Sequence, residues 1–211
     1  TQDRVKIGGG EAAAQMPIAV LGPGTGLGVS GLIPHRTGYT AIAGEGGHVS
    51  FSPYDGLEAD IWTNAKQYFD HVSAERLLSG AGLALIHAAL AQNKESEAQA
   101  LSAPDIINLA LKDEHPLCSR SLEVFSAMLG SFAGNVALTL GARGGVYVCG
   151  GMVPRFLNTF QQSSFRTRFE SKGRFKPYLA AIPVYVVLNP SAGLLGAAVA
   201  LQQKLDAENE W

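Results

Sequence analysis

Residues 17–51 read PIAVLGPGTGLGVSGLIPHRTGYTAIAGEGGHVSF, and this stretch decides the fold of the chain. It opens with a short apolar run, Ile18 to Leu21, which is typical of a buried strand. Glycine then occupies every second position from Gly22 to Gly28, and a second apolar run extends from Val29 to Ile33. A strand, a glycine-rich turn and another strand predict a β-hairpin whose tip carries almost no side chains.

A hairpin tip made of glycine lets an anion approach the backbone N–H groups, and positive φ angles at glycine can aim several of these groups at it. The tip at Gly22–Gly28 is therefore a candidate phosphate cradle, and a tight hairpin without a ligand is the alternative. A P-loop is excluded, because no lysine occurs between Lys6 and Lys66. A Rossmann fingerprint is also excluded, because the glycine spacing differs and β-branched residues continue the strand instead of opening a helix.

A third apolar run, Tyr39 to Ala43, leads into the segment Gly44-Glu45-Gly46-Gly47-His48. This segment places a carboxylate and an imidazole on a glycine-rich bend. Glu45 and His48 have the spacing Glu-x-x-His, which on a helix can form half of a di-iron site, but the two intervening glycines disfavour a helix. The other interpretations are a polar ligand site and a solvated turn at the end of a strand.

Composition limits the classes of protein that fit. With 211 residues, of which 46% are hydrophobic, the chain can bury a substantial core. A net charge of −2 argues against a nucleic-acid surface. Cys118 and Cys149 lie far apart in apolar segments, which favours reduced, buried thiols in a cytoplasmic protein. No leader pattern and no run of about 18 apolar residues occurs, so we expect no membrane span.

Alternating strand and helix patterns predict an α/β fold. Residues 1–15 are polar and indicate a connecting segment. Helices are expected at 57–69, 74–78, 83–92, 104–111, 116–140, 155–160, 163–170 and 192–205, with strands at 146–149 and 183–188 and a loop or frayed helix end at 93–103. The longest helix contains Gly130, Ala133 and Gly134, which would allow another backbone to approach closely.

Basic residues are concentrated after residue 165. They are Arg166, Arg168, Lys172, Arg174 and Lys176, the last three within the segment SKGRFK. Such clusters usually form a solvated face, and this is the interpretation that we adopt here.

The chain carries six motifs in the order GPGTGLGVSGLI, GEGGHVSF, HVSAERLLSG, GGVYVCGGMVPRF, SKGRFK and SAGLLGAA. Together they resemble the large C-terminal domain of bacterial ATP-dependent glucokinases, in the hexokinase/actin/Hsp70 superfamily. The resemblance covers about Arg4 to about Gln202. It implies a ribonuclease H-like, actin-like ATPase domain with a mixed sheet flanked by helices. Residues 1–188 would form the large domain, and residues 189–211 a helix that packs on the family's small N-terminal domain.

The resemblance also assigns sugar contacts. Glu45, His48 and Glu75 would hydrogen-bond the hydroxyl groups of glucose, with Glu75 in the first turn of a helix capped by Ser73. An ionised carboxylate can accept from two hydroxyls, and an imidazole can donate or accept. His71 would then be structural, although a His71–Glu75 pair four residues apart is the alternative.

The ATP contacts implied by the resemblance lie in a phosphate segment and an adenosine segment. They are Gly24, Thr25, Gly26 and Gly28 in the first, and Gly150 and Gly151 in the second. Ligands of open α/β sheets lie beyond the carboxyl ends of strands, which independently favours the second segment as a site edge. A plain strand-to-helix turn is the alternative there. The resemblance implies ATP and Mg²⁺ as cofactors, with no metal ligand in this chain.

Two family motifs do not occur in the sequence: Asp-x-Gly-Gly-Thr-Asn, and Asn-Asp-Phe-x-Ala with the catalytic aspartate. We therefore expect part of a glucokinase, which would phosphorylate D-glucose at the 6-hydroxyl with ATP. This part would contain no catalytic residue and would be inactive alone. The alternative is a non-catalytic sugar-binding or dimerisation module of the same fold. The resemblance further implies a cytoplasmic homodimer that binds neither nucleic acid nor membrane.

Overall fold

The computed structural model describes residues 3–36, 38–92, 101–112 and 115–208, and their strands form one mixed sheet. The strands are β1 (Arg4–Gly8), β2 (Ile18–Pro23), β3 (Leu27–His35), β4 (Gly38–Ala41), β5 (Val146–Val148) and β6 (Val184–Val187). Their order across the sheet is β1-β6-β5-β2-β3-β4. β5 runs parallel to β2 and β6, and the other neighbours are antiparallel. The predicted α/β class and mixed sheet are confirmed.

The predicted hairpin lies at the centre of this sheet. β2 and β3 pair in unbroken register from Ile18 opposite Leu32 to Pro23 opposite Leu27. A turn of only three residues, 24–26, joins the two strands. β2 is paired on both edges, and its apolar residue Leu21 is completely buried. The hairpin is therefore anchored in the core while its turn projects from the edge of the sheet.

The N-terminal segment is not simply a connection, as its polar composition indicated, because it contains the edge strand β1. Arg4 pairs with Val187 of β6. The Arg4 guanidinium lies 4.4 Å from the ring centre of Tyr185 and donates a hydrogen bond of 2.8 Å to the Tyr147 hydroxyl. An edge strand tolerates charged side chains that a central strand would exclude, so its polar sequence concealed it.

Helices flank the sheet. They are α1 (Gly56–Lys66), α2 (Ala74–Leu77), α3 (Gly80–Gln92), α4 (Ala103–Leu111), α5 (Pro116–Leu140), α6 (Leu157–Gln162), α7 (Phe165–Glu170), α8 (Lys176–Ala180) and α9 (Ala192–Glu208). α5 has the predicted bounds. Gly80 begins α3 instead of breaking a helix, so that prediction is wrong. Of the loop predicted over 93–103, residues 93–100 lie outside the described part of the chain.

The basic cluster is not a solvated face throughout, which corrects the sequence interpretation. Arg166 pairs with Glu170 at 2.6 Å and donates hydrogen bonds to the carbonyl oxygens of Leu179, Ala180 and Ile182. Arg168 forms an ion pair with Glu58, whose side chain is 2% exposed. Burial raises the pKa of the Glu58 carboxyl, although the Tyr54 N–H and Arg168 act in the opposite direction. These two arginines therefore belong to the interior of the fold.

The central helix α5 packs closely on α7. By length and composition α5 could cross a membrane, but 72% of its most apolar window is buried inside the fold, as in a core helix. A Cβ atom at Gly130 would lie 2.2 Å from the Phe165 carbonyl oxygen, and one at Gly134 would lie 2.5 Å from that of Phe169. The prediction that small residues on this helix permit a close backbone approach is confirmed.

The last helix, α9, exposes much of its apolar surface. Leu194, Leu195 and Val199 are 75%, 55% and 58% exposed. Exposed apolar side chains gathered on one helix are a feature of interaction surfaces. Residues 209–211, which complete the predicted C-terminal segment 189–211, lie outside the described part of the chain.

We expect Gly130→Ala to lower the free energy of unfolding by about 1–3 kcal/mol, because the added methyl group overpacks the contact between α5 and α7. Gly196→Ala on α9 is the matched control, since nothing lies within 4 Å of its added Cβ. Alanine favours a helix over glycine, so the control should be neutral or slightly stabilising. Urea denaturation measures both variants. Unchanged stability in Gly130→Ala would contradict the close packing.

Candidate functional site

The structure brings the three expected sugar contacts, Glu45, His48 and Glu75, to one place. His48 ends a 3₁₀ turn after β4, and Glu75 lies in the first turn of α2. His48 Nε2 lies 3.9 Å from Glu45 Oε2, and His48 Nδ1 lies 3.9 Å from Glu75 Oε1. At this spacing the groups are neighbours without being hydrogen-bonded to each other. A polyhydroxyl ligand could therefore bond to all three.

The two glycines of the bend are required by its contact with β3. A Cβ at Gly47 would lie 2.0 Å from the Leu27 carbonyl oxygen, and one at Gly46 would lie 2.9 Å from Val29 Cγ1. A larger side chain would push the bend away from the strand. Because Gly46 and Gly47 have no side chains, Glu45 and His48 can lie beside the start of β3.

The segment after the bend is clamped to α2. The Val49 carbonyl accepts a hydrogen bond of 2.9 Å from the Ala74 amide, and α2 has the predicted serine cap. His71 bonds to Ser50 Oγ at 3.0 Å instead of pairing with Glu75. A structural role for His71 fits this contact, and Glu75 remains directed at the hairpin.

Glu75 is tied directly to the hairpin turn. Its Oε2 atom accepts a hydrogen bond of 2.9 Å from the Leu27 N–H, and a Cβ at Gly26 would lie 2.5 Å from the same oxygen. The Glu75 side chain is 29% exposed, whereas that of Glu45 is 89% exposed. One carboxylate oxygen of Glu75 therefore fixes its position, and the other lies toward His48.

Beside the polar site, a cleft of about 450 Å³ adjoins the same hairpin turn. Gly24 and Thr25 line it from the hairpin, and Gly151 lines it from the segment after β5. β2 and β5 are parallel neighbours, with Leu21 opposite Val148, so the segments that follow them leave the sheet at one edge. The topology thus unites residues that are far apart in the sequence.

Gly150 forms the bend that closes this edge. Its φ is +87°, and a Cβ there would lie 2.7 Å from the Pro23 carbonyl oxygen, so both conformation and contact require glycine. Cys149 just before it is a free thiol, as is Cys118. Burial raises the pKa of both thiols. Cys118 is buried as expected, whereas Cys149 is only half-buried.

The hairpin tip differs from the predicted phosphate cradle. None of its glycines has a positive φ, and the Gly24 N–H already donates to the Gly26 carbonyl at 2.8 Å. Gly26 faces Glu75, and Gly28 pairs with Gly22 in the strand ladder, so neither lines the cleft. Nothing lies within 4 Å of a Cβ added at Gly24. A phosphate could therefore approach this tip at Gly24, where there is open space.

Several residues of the cleft escaped the sequence-based reasoning. They are Gly80, Ala103, Pro104, Ile107, Met152 and Arg155. The Gly80 N–H donates to the Gly24 carbonyl at 2.8 Å, so the start of α3 docks on the hairpin turn. Pro104 was recognisable as a helix start, but its position beside Gly151 depends on tertiary packing that no local pattern reveals.

Metal binding finds little support in the side chains. Within the described residues, no group of three or more His, Cys, Asp or Glu is arranged to hold a metal ion. Among the described residues that line the cleft, Thr25 carries the one hydroxyl and none carries a carboxylate. The residues do not fit a protein-held Mg²⁺. An ion arriving with a nucleotide would take its ligands from phosphate and water.

A mixed six-stranded sheet flanked by helices, with a polar site and a cleft at one hairpin turn, is the arrangement of an actin-like ATPase domain. Comparison with known proteins gives the family: the glucokinase family model matches residues 1–204. The chain therefore belongs to the glucokinase family.

Curated relatives agree with this family. Glucokinases of Neisseria gonorrhoeae and Helicobacter pylori are 55% and 51% identical over 205 and 210 residues, which is 97% and 96% of this chain. The chain spans 62% of the length of each relative.

Solved structures confirm the fold. The glucokinase from an Antarctic psychrotroph aligns with a TM-score of 0.89 at 35% identity, over 96% of this chain and 63% of that one. A ROK family glucokinase from Streptomyces griseus, solved with glucose and AMPPNP, has a TM-score of 0.62 at 20% identity and covers 90% of this chain and 62% of its own. The second likeness shows the fold alone.

Proposed function

We propose that this chain is the glucose- and nucleotide-binding large domain of an ATP-dependent glucokinase, which transfers the γ-phosphoryl group of ATP to the 6-hydroxyl of D-glucose. The observation that supports this proposal most is the position of the hairpin turn. At one end Leu27 bonds to Glu75, and at the other Gly24 and Thr25 line the cleft. A sugar and a phosphate chain would thus meet beside this turn. Family membership supports the assignment.

In this proposal Glu45, His48 and Glu75 bind and orient the sugar. The carboxylates accept hydrogen bonds from hydroxyl groups, and the imidazole donates or accepts. The Leu27 N–H holds Glu75 in place before the sugar arrives, so little ordering is needed on binding. A sugar that lacks a contacted hydroxyl leaves a polar group unpaired, which costs about 1–3 kcal/mol.

Phosphoryl transfer also needs a carboxylate to accept the proton of the attacking hydroxyl. We assign this base to the remainder of the full-length protein, because the Asn-Asp-Phe motif does not occur in this sequence. Mg²⁺ bound to ATP would neutralise charge on the phosphates. The residues of this chain then act by binding and orienting both substrates.

The domain organisation follows from the same proposal. Residues 1–188 form the large domain, and α9, within residues 189–211, packs on the rest of the full-length protein. The exposed Leu194 and Val199 support this assignment, because they offer an apolar face to a partner surface. The proposal also includes a cytoplasmic homodimer, which rests on the family resemblance alone. Helix α5 is mostly buried in this domain, so a dimer would use another surface.

In the full-length protein, we expect Glu45→Gln, His48→Ala and Glu75→Gln each to weaken glucose binding at least about tenfold, or about 1.4 kcal/mol. Each change removes a hydrogen-bonding group or the charge that strengthens its bond. Calorimetric titration with glucose measures the effect. Asp60→Asn, an exposed carboxylate on α1, is the control and should leave the affinity unchanged. Wild-type affinity in all three variants would refute the sugar assignment.

The 211-residue chain alone should fold but show no detectable glucokinase activity, with glucose affinity no better than millimolar. The base is absent from it, and only one wall of the interdomain cleft is encoded. A coupled assay tests this expectation. Turnover within about a hundredfold of the 1–100 per second typical of kinases would mean that the base has been misplaced. Tight glucose binding without turnover would favour the non-catalytic sugar-binding module.

A further inference from the structure

The cleft beside the hairpin turn is lined by two chemically different sets of residues. Gly24 and Thr25 form the set at the hairpin turn. The other set is an apolar wall formed by Ala103, Pro104, Ile107 and Met152, with the cation Arg155 beside it. Ile107 and Met152 are 1% and 7% exposed, so the wall is anchored in the core. A rigid apolar wall suits the face of an aromatic ring, whereas phosphates need donors and bare backbone.

Arg155 is the one charged side chain among the described residues that line the cleft. It lies on a 3₁₀ turn, Val153–Phe156, that begins two residues after Gly151. Val153 and Phe156 are 0% and 1% exposed, so the backbone on both sides of Arg155 is fixed in the core. Within the described chain its guanidinium has no recorded hydrogen bond or ion pair, and the side chain is exposed. An exposed cation on a backbone fixed in the core thus borders the apolar wall.

We propose that Arg155 stacks on the base of the bound nucleotide, and that the base lies between the guanidinium plane and the wall formed by Ile107 and Met152. A guanidinium is planar, weakly hydrated and stacks well on aromatic faces. The inference rests on the proposed function, because it requires the cleft to hold a nucleotide. It adds a base-binding role for Arg155, which lies outside both the phosphate segment and the adenosine segment.

The position of Arg155 favours the base over the phosphate chain. Arg155 follows Gly151 and Met152 at the β5 side of the cleft, while the open space for phosphate lies at Gly24 in the hairpin turn. The two roles also make different demands on the side chain. A phosphate contact needs a positive charge, which lysine also supplies, whereas stacking needs the guanidinium plane, which lysine lacks.

The test uses Arg155→Ala and Arg155→Lys in the full-length protein. Calorimetric titration gives the affinity for ATP, and competition against ATP gives the affinities for adenosine and for inorganic tripolyphosphate. We expect both variants to bind ATP and adenosine about tenfold more weakly, with tripolyphosphate and glucose unchanged, because one stacking contact is lost. Lysine should not rescue the loss.

Three results would overturn the inference. Rescue by Arg155→Lys, or a loss for tripolyphosphate without a loss for adenosine, would make Arg155 a phosphate ligand. Wild-type affinities in both variants would give Arg155 no role. Arg143→Ala is the matched control and should change no affinity. Arg143 is an exposed arginine that precedes β5, at the end of that strand opposite to Gly151. If the wild-type protein itself binds no ATP, the proposed function fails as well.

Discussion

The hydrogen bond from the Leu27 amide to the Glu75 carboxylate is the contact on which the arrangement of the site depends. It joins the hairpin turn to α2, two elements that are far apart in the sequence. The bond forms only because Gly26 has no side chain to displace Glu75. An ionised acceptor that is largely shielded from water makes such a bond stronger than an exposed neutral one. The polar site therefore keeps a fixed relation to the turn.

The turn is held from other directions as well. The Gly80 amide at the start of α3 bonds to the Gly24 carbonyl, and Gly150 packs against the Pro23 carbonyl. These contacts come from the α3 and β5 segments, so the turn is fixed by tertiary structure and needs no strained backbone of its own. A rigid turn between two binding sites is a means of positioning two reactants relative to each other.

The sequence predicts best those features that arise from local patterns. The hairpin and α5 follow from apolar periodicity and glycine spacing, and the assembly of Glu45, His48 and Glu75 follows from family motifs. Features that depend on distant contacts were missed or misjudged. The polar strand β1 is stable because β6 pairs with it, and Arg168 is buried because Glu58 compensates its charge. The wall of the cleft at α4 likewise exists only after packing.

The central claim is that one turn serves two sites, and the variants Gly24→Ala and Gly26→Ala test it most directly. Gly24 lines the cleft, and a methyl group there meets no protein atom within 4 Å, whereas one at Gly26 would lie 2.5 Å from Glu75 Oε2. Separate titrations of the full-length protein with ATP and with glucose should show that Gly24→Ala weakens ATP binding about tenfold and spares glucose, and that Gly26→Ala does the reverse. Equal losses for both ligands in both variants, or no loss in either, would contradict the account.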